Sequence, residues 1–143
     1  MEEQTLKVLE ECSSGCKMAI ESMHQIREYV KNEKLARVIE DASQKHCKLE
    51  ERASRELLRH GQCGKAPGKA AETFSWLTTE IKMMIRDDSR QIAKIMMNGC
   101  NMGIQSMMAV INDNPEADRE SLDIARDIVK VEEDFMEALK PFL

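Results

Sequence analysis

Three cysteines and one histidine stand where their side chains could converge. Cys12 and Cys16 are four residues apart, which puts both on one face of a helix. Cys100 and His46 sit on the apolar seams of other helical segments. Measured from turn signals at Asn32 and Asn114, Cys16, His46, Cys100 and Ile128 lie at similar depths, which predicts one shared core layer. Thiolate and imidazole donors suit a thiophilic ion, so Cys12, Cys16, His46 and Cys100 are a candidate site for zinc or copper. The same residues also have a plainer reading. A free cysteine packs as a small hydrophobe, and a lone core histidine is commonly neutral and bonded locally. The three-residue gap in Cys12-x-x-x-Cys16 also departs from the usual two-residue ligand gap.

Other chemistry is absent from the sequence. It has no glycine-rich phosphate loop and no Ser-His-Asp set. Glu50 and Glu132 are read as flanking the seams, so no inward pair of carboxylates is expected. His60 and Cys63, beside loop glycines, read as an exposed pair. No enzymatic activity is expected on these grounds.

The elements that must position these residues are helices. A chain of 143 residues suggests a single domain, 1–143. Three Pro and six Gly are too few for an all-β protein of many tight turns. The apolar spacing predicts long helices over about residues 2–31, 33–60, 89–111 and 115–140. Their seams are Leu9, Cys12, Cys16, Ala19, Met23, Ile26 and Val30; then Leu35, Ile39, Ala42, His46, Leu49, Ala53 and Leu57. The third seam is Ala93, Met96, Cys100, Gly103, Met107 and Val110, and the fourth is Ile124, Ile128, Val131, Phe135 and Leu139. Asn32 ends the first helix, Gly61 stops the second, Asp87 or Asp88 caps the third, and Pro115 opens the last. A shorter helix over about 69–85 carries Phe74, Trp76, Leu77 and Ile81.

The first and third helices share a repeat. Gly15-Cys16-Lys17-Met18-Ala19-Ile20-Glu21-Ser22-Met23 matches Gly99-Cys100-Asn101-Met102-Gly103-Ile104-Gln105-Ser106-Met107. Lys48-Leu49-Glu50-Glu51 then matches Lys130-Val131-Glu132-Glu133, with Leu57 falling on Leu139. Two similar hairpins joined by a long connection predict an all-α four-helix bundle with a crossover. This arrangement resembles the ferritin-like superfamily. With the short helix at Trp76-Leu77-Thr78-Thr79-Glu80-Ile81-Lys82 before Asp87-Asp88, it is similar to an uncharacterised bacterial branch of that superfamily. The resemblance implies a di-iron centre built from a Glu on helices one and three and Glu-x-x-His on two and four. This sequence departs from that pattern. Cys16 and Cys100 replace carboxylates, Ala53 follows Glu50 at the histidine position, and Phe135 follows Glu132. A di-iron site is therefore not expected.

The stripes Gly15, Ala19, Ser22 and Gly99, Gly103, Ser106 predict close packing of helices one and three. Eleven Met in an aromatic-poor chain supply adaptable core, and Met97, Met102 and Met108 a pliable partner surface if they lie off the seam. A net charge of -5 has the wrong sign for a general nucleic-acid binder. No apolar run approaches the ~20 residues of a membrane span. The acidic Met1-Glu2-Glu3-Gln4 start has no signal-peptide pattern, and the odd count of five Cys suits a reducing compartment. A cytoplasmic homo-oligomer without nucleic-acid or membrane partners follows as the expectation, with a protein partner as a further option. Its expected role is that of a non-catalytic bundle acting through oligomerisation or a partner surface. The alternatives are a soft-metal binding or storage protein and an iron or redox enzyme of the superfamily.

Overall fold

The computed structural model describes residues 2–62 and 88–143. Four long helices account for nearly all of them: α1 (Glu2–Arg27), α2 (Glu33–Arg59), α3 (Ser89–Asp113) and α4 (Arg119–Leu139). A short 3-10 turn, Lys140–Phe142, closes the chain. No strand occurs among the described residues. The expected short helix at 69–85, along with Cys63, Met83 and Met84, lies outside the described residues.

The helix ends follow from side-chain capping. Asn32 accepts hydrogen bonds from the backbone N–H groups of Lys34 (2.9 Å) and Leu35 (3.1 Å), so it starts α2 and does not end α1. α1 stops earlier than expected, at Arg27, because the Tyr29 and Val30 amides bond three residues back and tighten the chain into the turn. Gly61, at φ +73°, ends α2 as the spacing predicted. Its amide donates to the Leu58 carbonyl and that of Gln62 to the Leu57 carbonyl, the paired bonds of a Schellman motif. Asp88 caps α3 through the Gln91 amide (3.1 Å). Pro115 does not open α4. The Asn114 side chain donates back to the Val110 carbonyl (2.8 Å), and α4 begins after Asp118, whose carboxylate accepts from the Ser121 amide (2.8 Å).

The core forms two apolar clusters, one toward each end of the bundle. Near the α1–α2 turn, Met23, Ile26, Leu35 and Ile39 meet Ile92, Ile95, Met96, Phe135 and Leu139. At the far end, Val8, Leu9, Leu49 and Leu57 meet Met107, Val110, Ile124 and Ile128. α1 is fastened to the α3–α4 turn at that end, where Gln4 accepts from the Glu116 amide (2.7 Å) and Thr5 from the Asp118 amide (2.8 Å). α2 thus finishes at the far end while α3 starts near the α1–α2 turn, as two hairpins joined by a crossover require.

Candidate functional site

A polar pair separates the two clusters. His46 on α2 and Glu132 on α4 are both buried, at 1% and 5% exposure. His46 Nε2 meets Glu132 Oε1 in a short hydrogen bond. The other ring nitrogen, Nδ1, lies 2.7 Å from the Ala42 carbonyl. A carbonyl only accepts, so Nδ1 carries a proton. A single further proton then lies between Nε2 and Oε1. Burial opposes charging His46, but the hydrogen bond and charge of Glu132, helped by the Ala42 carbonyl, outweigh it and raise the pKa from the ordinary 6.5. The geometry therefore favours a proton on both ring nitrogens of His46.

The inward position of Glu132 corrects the expectation that it flanks the seam. α4 buries Ser121, Ile124, Ala125, Ile128, Glu132, Phe135 and Leu139, while Val131 is only partly buried. Both 131 and 132 fit a helical step from Ile128, and hydrophobicity favoured the valine. The absent signal was charge pairing: His46, already on the α2 seam, calls for a buried acidic partner. Glu50 does flank the seam, half-buried. It accepts from Ser13 (3.1 Å) and Ser54 (2.5 Å) and lies 3.7 Å from the Lys17 ammonium.

The thiols surround this pair without joining it. Cys12, Cys16 and Cys100 are buried and free, while Cys47 is free and exposed. Cys12 and Cys16 pack in the far cluster with Ile128, and Cys100 packs in the other, while Glu132 acts on both Cys16 and Cys100 from between them. Burial pushes the Cys12 thiol up to about 12, with Glu11 adding to it and Arg52 opposing. Cys16 rises through burial, then through Cys12 and Glu132. Cys100 rises through burial and Glu132. All three are protonated at neutral pH and are poor nucleophiles.

Beside the pair, the described residues of α1 and α3 line a cleft of about 370 Å³, with His46 and Glu132 deep between them. This overturns the expected close packing of the small-residue stripes. No described atom lies within 4 Å of a Cβ built on Gly99, and one on Gly15 would meet only Met107 Cε at 3.5 Å. At Gly103 the space belongs to Glu132, because a Cβ there would lie 2.5 Å from Oε2. These glycines leave room for side chains and a cleft; they do not bring two backbones together.

No family model matches the sequence, and no curated protein matches it. Among solved structures, the chain is similar to one described as a dodecameric thioferritin in the bacterial domain, the bacterioferritin-related protein from Bacteroides fragilis. The TM-score is 0.75 at 14% identity, covering 98% of this chain and 84% of that one. The fold is ferritin-like.

Ferritin-like bundles that hold two irons gather four carboxylates and two histidines in the core. The residues present here do not fit that pair. Among the described residues no group of three or more His, Cys, Asp and Glu is placed to hold a metal ion. The α1 and α3 core positions carry thiols, Glu50 is turned away, and both nitrogens of His46 are engaged. Of the residues singled out from the sequence, His46 is tied to Ala42 and Glu132, while Cys12, Cys16 and Cys100 lie on either side of that pair.

Two outcomes follow for stability. Gly103→Ala displaces the Glu132 carboxylate from His46 and should destabilise by about 1–3 kcal/mol, the scale of a disrupted buried polar group. Gly99→Ala, with open space at its Cβ, should stabilise by about 0.5–1 kcal/mol through helix propensity. Urea unfolding of the two variants reads both signs. Because the folded pKa of His46 is raised, its contribution is complete below the unfolded value of 6.5 and is lost as pH rises through the folded value. The melting-temperature gap between wild type and His46→Gln should therefore narrow on going from about pH 6 to about pH 9. A constant gap would contradict a shared proton.

Proposed function

We propose that this chain is a non-catalytic ferritin-like bundle that acts through its α1–α3 face, as part of a homo-oligomer or against a protein partner. The observation that carries this reading is the cleft that the described residues leave on that face, bordered on α3 by methionines out of the core. Met102 is 42% exposed and lines the cleft, and Met108 is 40% exposed on the same helix. Methionine is flexible and polarizable, so a face rich in it accommodates a partner without exact prior fit. The dodecameric state described for the Bacteroides fragilis protein supports an assembly of copies. Among the described residues no helix is long and apolar enough to cross a membrane. A soluble protein in the cytoplasm is in keeping with this.

Sedimentation tests the reading. The wild-type chain should run larger than a monomer, and Met102→Glu, which places a charge on the apolar face, should reduce its size. An unchanged particle size would contradict the use of this face for assembly.

A soft-metal reading competes with it, in which zinc or copper is held by Cys12, Cys16, His46 and Cys100. Its support is that Cys16 and Cys100 both feel the charge of Glu132, so the donors border one region. It requires three protonated thiols to release protons and His46 to leave Glu132. In anaerobically purified protein, metal should be sub-stoichiometric and unchanged by Cys16→Ser. Stoichiometric zinc or copper lost in that variant would favour the competing reading.

A further inference from the structure

We infer that the α1–α3 cleft binds a small apolar molecule ending in a primary ammonium group, with Glu132 Oε2 as the acceptor for that head. The inference rests on reading this cleft as a binding face, and it adds the chemistry of the occupant. At about 370 Å³ the cleft has the capacity of a small-molecule site. Its walls are mostly apolar, with Met18, Met23, Met96 and Met107 among them. Methionine sulfur makes favourable contacts with aromatic rings, so an aromatic body suits these walls.

The polar end is specified by Glu132. Its side chain is only 7% exposed, and Oε1 is committed to His46. Oε2 receives no such bond, and it lies where a Cβ on Gly103 would stand 2.5 Å away. Glycine at 103 is what leaves that oxygen room beside the cleft. Charge selects the head group. Among the described residues, the ionisable ones lining the cleft are Glu11, Glu132, His46 and Cys100, with no lysine or arginine among them. The ring of His46 is turned to Glu132 and Ala42, and the buried thiol of Cys100 is neutral. A carboxylate head would meet Glu11 and Glu132 with no lysine or arginine among the described lining residues to receive it, and an alcohol would form only an uncharged donor bond. An ammonium group gains a charge-assisted bond to Oε2 and the field of Glu11.

Calorimetric titration with phenylbutylamine, phenylbutanol and phenylbutyrate tests this. The amine should bind the wild-type chain about tenfold or more tighter than the alcohol, with the acid weakest. Glu132→Gln keeps a hydrogen-bonding partner for His46 and should bring the amine-to-alcohol ratio down to about one. Gly99→Leu, which enters the cleft from a position with no described atom within 4 Å of its Cβ, should abolish binding of the amine while the helix content is retained. An amine that binds no better than the alcohol, a preference that survives Glu132→Gln, or undiminished binding in Gly99→Leu would overturn the inference. So would the failure of all three compounds to bind, as when another part of the chain or a second copy fills the cleft. The head-group ratio is read at Glu132 and particle size at Met102, so this inference and the assembly reading can fail separately.

Discussion

The buried pairing of His46 with Glu132 constrains the rest of the bundle. It joins α2 to α4 at the waist, between two apolar clusters that could otherwise slide or rotate past one another. Apolar contacts are non-directional and tolerate such movement. A hydrogen-bonded ion pair has one geometry, and removing either partner from a buried pair costs about 3–5 kcal/mol because the other is left uncompensated. The pair therefore fixes register more than it adds stability. The Ala42 carbonyl completes the arrangement by holding the proton on Nδ1, which leaves Nε2 for Glu132.

The paired sequence segments differ where this constraint acts. The match between the two halves aligns Ala19 with Gly103 and Glu50 with Glu132, and the same offset sets His46 against Ile128. Glu50 bonds two serines beside Lys17 at the flank of the seam, and Ala19 stands at the matched α1 position. Glu132 turns in, and only glycine at 103 leaves its carboxylate space. Two residue differences and one difference in side-chain direction between otherwise similar segments thus converge on one buried contact. The cleft beside it follows from the same choice, since small residues on α1 and α3 leave room that neither helix fills.

Much of the fold could be read from spacing alone. All seven residues of the α2 seam are buried, and Gly61 and Asp88 act as the expected stop and cap. The errors arose where local rules compete. Asn32 can end one helix or start the next, and the hydrogen-bonding choice depends on the turn geometry. Pro115 is a good first helical residue, but Asp118 supplies a capping carboxylate that a prolyl ring cannot. The candidate site was harder to read. The spacing puts His46 in the core, but it puts Glu132 on a flank because hydrophobic periodicity discounts a buried charge until its partner is known. The stripes of small residues were visible, but spacing does not distinguish glycines that bring backbones together from glycines that make room for a side chain.

Nitrogen NMR of the histidine side chains measures the shared proton directly. The account predicts that both ring nitrogens of His46 carry protons at neutral pH, and that the ring stays an imidazolium above its ordinary value of 6.5. A neutral His46 ring that titrates at or below that value would contradict the account.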